Sequence, residues 1–166
     1  MEFEAAILIA QKKPLIIENI QHSGELDTGQ VLVELLTSGI CGSQIGEIEG
    51  VKGFDKFIPH LMGHEGCGRI LKIGPGVTTV KEGDKAVLHW KKGLGINSTT
   101  PSYVYNGQKI NAGWVTTFNK FAVVSENRLT SIPEETPNDI AALFGCAITT
   151  GFGVIENNAK LKMGES

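Results

Sequence analysis

The chain has 166 residues, so we expect one domain of ordinary size rather than a large multidomain enzyme. Its 15 basic and 18 acidic residues give a net charge of -3, without the basic stripe that a nucleic-acid partner requires. The start of the chain is acidic where a secretory signal is basic, and the apolar run 5–10 is too short to span a bilayer. We therefore expect a cytoplasmic protein with no nucleic-acid or membrane partner.

Short strands are predicted over most of the chain. The 21 glycines exceed the average usage of about 7% and indicate frequent turns. Apolar segments separated by Gly, Pro, Asn and Asp clusters predict six strands, at 3–10, 15–20, 31–36, 69–73, 85–89 and 118–124. In the third strand, Val31, Val33 and Leu35 predict the more deeply buried face. The pattern up to about residue 132 is typical of a mainly β fold, a barrel or a sandwich.

Two later segments differ from this pattern. Residues 91–113 are rich in Gly, Asn, Ser and Thr with little periodicity, which predicts a long loop. After Pro137 the apolar residues fall at helical spacing, and Asp139 suits a helix N-terminus. A second helix is predicted at about 153–160.

Three glycine-rich segments carry side chains that can bind a metal. They contain Cys41 in 39–43, His64 in 63–68 and Cys146 in 145–151. A lone histidine beside a glutamate is weak evidence for a metal, because such a histidine more often makes an ordinary hydrogen bond. Two thiolates and one imidazole together are a zinc set that leaves a fourth position open. The third cysteine, Cys67, is predicted to be a packed small hydrophobe, and three widely spaced cysteines argue against a disulfide framework.

In these motifs the sequence resembles the N-terminal, GroES-like catalytic domain of the zinc-containing alcohol dehydrogenases, in the medium-chain dehydrogenase/reductase superfamily. The matching pieces occur in family order: Cys41-Gly42-Ser43, Gly63-His64-Glu65, Gly74-Pro75-Gly76-Val77, Gly83-Asp84-Lys85, 118–124 with Ile132-Pro133, and 145–151. The resemblance covers the whole chain, 1–166. It implies a GroES-like, partly closed β-barrel with a few short helices, in which 137–166 is the helical connection toward an absent Rossmann domain.

The resemblance also implies a metal centre. Its zinc ligands are Cys41, His64 and Cys146, and Glu65 lies beside the metal as an occasional or transient ligand and a catalytic residue. Zinc is a redox-inert Lewis acid that can stabilise an alkoxide from which hydride leaves, or polarise a carbonyl that receives it. The nicotinamide of NAD or NADP, bound through the absent domain, carries out the redox step.

Three further residues match substrate and cofactor positions of the family. Ser43 matches the catalytic hydroxyl that contacts the substrate oxygen and passes on its proton. Thr150 matches a residue near the nicotinamide, and Trp90 matches an aromatic wall of the substrate pocket. The implied parent enzyme acts on a small-molecule alcohol or carbonyl compound, including polyols, and is a homo-oligomer.

The sequence departs from the family pattern at several positions. The segment 91–117 lacks the four cysteines of a structural zinc site, so we expect one zinc per chain and a lobe that is held by other contacts or disordered. Gly46 stands where many relatives have a relay histidine, and Gln44 stands where an aspartate often supports the histidine ligand. Neither Gly74-Pro75-Gly76 nor 151–153 fits a phosphate-binding turn between a strand and a helix. We expect a fragment of a longer dehydrogenase that is inactive alone.

Two other functions stay open at this point. A metal-free quinone or enoyl reductase of the same superfamily has the same fold, and a non-enzymatic GroES-like module shares the barrel. Both normally lack the cysteine and histidine ligands, so bound zinc discriminates against both. A zinc peptidase and a serine hydrolase are rejected, because the chain has neither a His-Glu-x-x-His helix nor a Gly-x-Ser-x-Gly elbow.

Overall fold

The computed structural model describes residues 1–162 and 164–165. Its strands are β1 (Glu2–Leu8), β2 (Ile16–Gln21), β3 (Gln30–Ser38), β4 (His60–Leu61), β5 (Glu65–Ile73), β6 (Lys85–His89), β7 (Tyr103–Tyr105), β8 (Gln108–Ile110), β9 (Phe121–Ser125) and β10 (Leu129–Ser131). Its α-helices are α1 (Gly42–Ile48), α2 (Asn138–Leu143) and α3 (Ala147–Gly153), with a 3-10 turn at Glu126–Arg128 and a π-helical turn at Val154–Ala159. None of the helices in this part of the chain has the length and apolar character that crossing a membrane requires.

The strands form two five-stranded sheets. Their orders are β4-β1-β2-β7-β8 and β10-β6-β5-β3-β9, and the neighbouring strands within each sheet pair antiparallel. The segment before β9 joins the two sheets, because Phe118 O accepts from Ala6 N (2.8 Å) and Lys120 O accepts from Leu35 N (2.9 Å). The result is a partly closed barrel with a few short helices, which confirms the predicted fold class.

Alternation along β3 supplies the centre of the larger core. Val31 and Val33 are fully buried, and Leu35 packs against the same cluster from a partly buried position. A second cluster lies against the other sheet around Phe3, Ile7 and Ile20. The predicted buried face of β3 is therefore confirmed.

Two irregularities interrupt the pairing of β3 with β5. Between the pairs Leu32–Lys72 and Val33–Ile70, β5 contains one extra residue, Leu71. Between Leu35–Gly68 and Thr37–Cys67, β3 contains one extra residue, Leu36. Such bulges bend a strand and increase its twist.

The lobe 91–117 contains a hairpin, so the predicted uninterrupted loop over 91–113 is wrong. Strands β7 and β8 pair across Asn106 and Gly107, which have φ of +49° and +75°. Asn-Gly with positive φ at both residues is the preferred two-residue turn of a β-hairpin. Tyr103 anchors the hairpin, since it is fully buried and its hydroxyl accepts a hydrogen bond from Val123 N at 2.8 Å.

A buried carboxylate also holds this lobe. Glu126 Oε2 accepts from Ile96 N at 2.6 Å, and Oε1 accepts from Thr78 N (2.6 Å) and Thr79 N (2.7 Å). Glu126 is fully buried, so these bonds replace its hydration. The sequence predicted a lobe that is either disordered or held by contacts other than a structural zinc. The structure shows the second of these, because hydrogen bonds to Glu126 hold the lobe in place.

The last part of the chain is helical, with one helix at its predicted start and another that begins earlier than predicted. The helix after Pro137 is present as α2, and its Ala141 and Ala142 pack on Cys67 and Val87. This packing confirms the role predicted for Cys67. Helix α3 begins at Ala147, before the predicted second helix, whose range coincides with the π-helical turn. Met163 and Ser166 of the predicted connection lie outside the described residues.

Candidate metal centre

Cys41, His64 and Cys146 lie at the ends of three different elements that meet at one point. Cys41 precedes α1, His64 precedes β5, and Cys146 lies between α2 and α3. A ring nitrogen of His64 and the two sulfur atoms all lie within 4.8 Å of one another, and the two Sγ atoms are 4.0 Å apart. The structure therefore brings together the three ligands that the sequence predicts.

Glu65 connects the segments that carry the two cysteines. Its backbone carbonyl accepts from Gly39 N at 3.1 Å, and its carboxylate Oε2 accepts from Ala147 N at 3.0 Å. The two segments can lie this close to Glu65 because each has a glycine at the point of contact. A Cβ at Gly39 would lie 2.7 Å from Glu65 Cδ, and one at Gly145 would lie 2.7 Å from Glu65 Cα. Glu65 is 1% exposed and lies outside the group of atoms within 4.8 Å. Its geometry is that of a support between Cys41 and Cys146.

Gln44 contacts two of the predicted ligands from inside α1. Its Oε1 accepts from Cys41 N at 3.0 Å, which closes the first turn of the helix, and its Nε2 contacts His64 Nδ1. The side chain is 3% exposed. Because Gln44 occupies Nδ1 of the His64 ring, the other ring nitrogen, His64 Nε2, is the one left for a metal.

The electrostatic environment differs between the two thiols. Hydrogen bonds from the backbone and side chain of Ser43 lower the pKa of Cys41, whereas burial raises the pKa of Cys146. Burial also lowers the pKa of His64, which favours its neutral, metal-binding form. Cys41 is therefore the thiol that ionises more readily.

The donor set fits a zinc ion. His64 Nε2 is buried and has no hydrogen-bond partner among the described residues, so no protein group competes with a metal ion for this nitrogen. Two sulfur atoms at about 2.3 Å from one tetrahedral zinc would be about 3.8 Å apart, close to the 4.0 Å seen between Cys41 and Cys146. Thiolate and imidazole are ligands that zinc prefers in proteins.

The other predicted site residues occupy different positions around this centre. Ser43 and His64 line one cavity of about 480 Å³, whose wall includes Phe54 and Phe57. Thr150 Oγ1 lies 3.8 Å from the sulfur of Cys146.

Trp90, the remaining predicted residue, is 50% exposed and does not line either of the cavities that contain His64. The tryptophan that does is Trp114, in the adjoining cavity of about 510 Å³. Trp114 lies in the lobe 91–117, just after the predicted loop 91–113, and no sequence signal placed it near His64.

A second polar cluster lines the same two cavities. His60 Nδ1 donates to Leu61 O at 2.9 Å, and His60 Nε2 lies 2.8 Å from Asp55 Oδ2 and 3.7 Å from Glu47 Oε1. Burial raises the pKa of Asp55, but the Phe57 N–H and His60 outweigh it, and the pKa lies below its ordinary value. The sequence analysis missed this cluster, because 47, 55 and 60 follow no metal-site spacing.

Comparison with known proteins agrees with the fold. Residues 27–134 match the family described as the alcohol dehydrogenase GroES-like domain. The chain belongs to this family. The GroES-like domain is 31% identical to S-(hydroxymethyl)glutathione dehydrogenase from Escherichia coli, with 100% of this chain and 51% of that protein covered. The chain thus spans about half the length of the curated relatives that it matches.

Two solved structures show the same fold for the GroES-like domain. An alcohol dehydrogenase zinc-binding domain protein from Burkholderia ambifaria superposes with a TM-score of 0.86 at 22% identity, over 100% of this chain and 51% of that one. Benzyl alcohol dehydrogenase from Acinetobacter calcoaceticus superposes with a TM-score of 0.80 at 21% identity, over 98% of this chain and 49% of that one. These likenesses confirm the fold that the sequence indicates.

Proposed function

We propose that the chain is the catalytic-domain part of a zinc-dependent, NAD(P)-linked dehydrogenase of small-molecule alcohols or carbonyl compounds. The observation that carries the proposal is the convergence of Cys41, His64 and Cys146, with His64 Nε2 buried and unpaired among the described residues. Family membership supports the reaction class. A metal-free reductase or an interaction module has no use for two thiols and an imidazole at one point.

Each residue of the proposed site would have a distinct role in the reaction. When bound, zinc supplies Lewis-acid polarisation of the substrate oxygen, while NAD or NADP exchanges the hydride. Ser43 lines the cavity beside His64 and can hold that oxygen through its hydroxyl, taking the proton of an alcohol or returning it to a product. Phe54 and Phe57 give the same cavity an apolar wall, which favours substrates with an apolar substituent.

Three assignments complete the proposal. Glu65 holds the segments of Cys41 and Cys146 in place, and its service as a transient ligand stays a prediction. Thr150, next to Cys146 on α3, would lie near the nicotinamide. Trp90 as a pocket wall also stays a prediction, as do the cytoplasmic location and the oligomeric parent enzyme.

The metal content of the purified chain tests the proposal. Elemental mass spectrometry after metal-replete purification should find near one zinc per chain, and Cys41→Ser, His64→Ala and Cys146→Ala should each lose most of it. Cys67→Ala is the matched control, because Cys67 is buried in a separate cluster and should leave the zinc unchanged.

The proposal fails if the folded chain takes up no zinc, or if the three ligand variants retain it. Near-UV circular dichroism of each variant separates loss of metal from loss of the fold. Absence of zinc from a folded chain would favour the metal-free reductase.

A further inference from the structure

The contacts of Gln44 set a constraint on the proton of His64. A backbone N–H can only donate, so the bond from Cys41 N to the Gln44 side chain must end on an oxygen. That bond fixes the orientation of the carboxamide. Its NH₂ group then points at His64 Nδ1.

An NH₂ group has no lone pair to offer, so His64 Nδ1 must act as the acceptor. A neutral imidazole carries one proton, which is therefore on Nε2. This is the buried nitrogen that has no hydrogen-bond partner among the described residues. A metal ion needs the lone pair of that nitrogen and not its proton.

Moving the proton to Nδ1 does not remove the conflict. The new Nδ1–H would face the NH₂ group of Gln44, placing two donors against each other. If the carboxamide turns over, its oxygen accepts from Nδ1–H, but its NH₂ then faces the N–H of Cys41. With a metal on Nε2, each orientation of Gln44 leaves one donor facing another in a side chain that is 3% exposed.

We propose that Gln44 holds metal-free His64 in the Nε2–H form and thereby weakens metal binding, so that this residue sets the zinc affinity of the centre. Gln44 is thus a positioning residue that acts through His64. The inference rests on the proposed zinc centre for its second half only, because the position of the proton in the metal-free chain is a property of Gln44 and His64 alone.

Two substitutions of similar size distinguish this role from general support of the helix. In Gln44→Glu both side-chain oxygens accept, so Cys41 N–H and His64 Nδ1–H are satisfied together with a metal on Nε2. Supporting groups around metal ligands typically change affinity 10- to 100-fold, and we expect zinc to bind tighter by about that factor. Gln44→Met removes the opposing NH₂ without adding charge, and zinc should bind at least as tightly as in the unaltered chain.

The decisive experiment is ¹⁵N NMR of the histidine rings in the metal-free chain, with the His64 signals assigned by their loss in His64→Ala. We expect the proton of His64 on Nε2 in the unaltered chain and on Nδ1 in Gln44→Glu. A proton on Nδ1 in the unaltered chain would overturn the inference.

Zinc competition against a chromophoric chelator supplies the second readout. Equal or weaker binding by Gln44→Glu, or weaker binding by Gln44→Met, would also overturn the inference. If no form of the chain binds zinc while His64 carries its proton on Nε2, the zinc proposal fails and the assigned tautomer stands.

Discussion

The carboxylate of Glu126 should contribute a large, pH-dependent share of the stability of this domain. Burial by itself raises the pKa of Glu126, but the N–H groups of Ile96, Thr78 and Thr79 outweigh it and lower the pKa from 4.5 to about 2. Each pH unit between the folded and unfolded pKa is worth about 1.36 kcal/mol. The charged, hydrogen-bonded carboxylate therefore stabilises the folded state by about 3 kcal/mol at neutral pH.

The sign of the pH dependence follows from the lowered pKa. Above about pH 4.5 the carboxylate is ionised in both states, and the whole contribution is present. As the pH falls from 4.5 toward 2, the unfolded chain takes up a proton before the folded one does, and the contribution is lost. By pH 3 about 2 kcal/mol of it should be gone.

Urea unfolding of the unaltered chain and of Glu126→Gln at several pH values measures this contribution. At pH 7 the variant should be less stable by about 3 kcal/mol, and the difference should narrow below pH 4.5. Glu134→Gln is the matched control, since the Glu134 side chain is 68% exposed and solvent screens its pairing with Arg69. A Glu126→Gln effect no larger than that of the control, or one that does not change with pH, would refute the reasoning.

Two further substitutions test the positioning of the centre and of the lobe. In Gly145→Ala the new Cβ would lie 2.4 Å from Leu88 O, so the backbone beside Cys146 must move. Zinc titration of this variant should show binding at least tenfold weaker. Gly151→Ala is the control, because its new Cβ would meet nothing within 4 Å, and it should bind zinc as the unaltered chain does. In Tyr103→Phe the N–H of Val123 loses its acceptor in the core, so urea unfolding should show a loss of about 1–3 kcal/mol, with unchanged zinc content. Normal zinc binding by Gly145→Ala, or full stability of Tyr103→Phe, would contradict these assignments.

The sequence predicted the elements whose patterns are local. Strand β6 was predicted at its observed bounds, and the alternation in β3 was correct, because one buried face leaves a period of two in the sequence. The hairpin was missed although Asn106-Gly107 is a strong turn signal, because its flanking strands are only three residues long. Helix α1 was missed because two of its seven residues are glycine and it buries only Gln44, so no helical periodicity exists.

The candidate site was predictable in part. Cys41, His64 and Cys146 could be named because their residue types follow the pattern of a known family. The orientation of Gln44 could not be predicted, since it depends on a backbone N–H and a ring nitrogen that meet only in the folded chain. The cluster around His60 likewise depends on side chains from separate segments.

The two bulges between β3 and β5 cancel each other. Leu71 shifts the register by one residue in one direction, and Leu36 shifts it back, so that Thr37 and Ser38 face Cys67 and Gly66 in the phase with which the ladder began. Neither extra residue lies where β6 or β9 pairs with these strands. Directly opposite residues of a ladder point to the same face of the sheet, so Thr37 keeps the face of Cys67 whether or not Leu36 precedes it. Loss of Leu36 would therefore straighten β3 and preserve the pairs Thr37–Cys67 and Ser38–Gly66, and loss of Leu71 would likewise straighten β5. During the evolution of this strand pair, either strand can lose its extra residue independently, and the consequence for Cys41 is a change in the local bend and twist rather than a reversal of face.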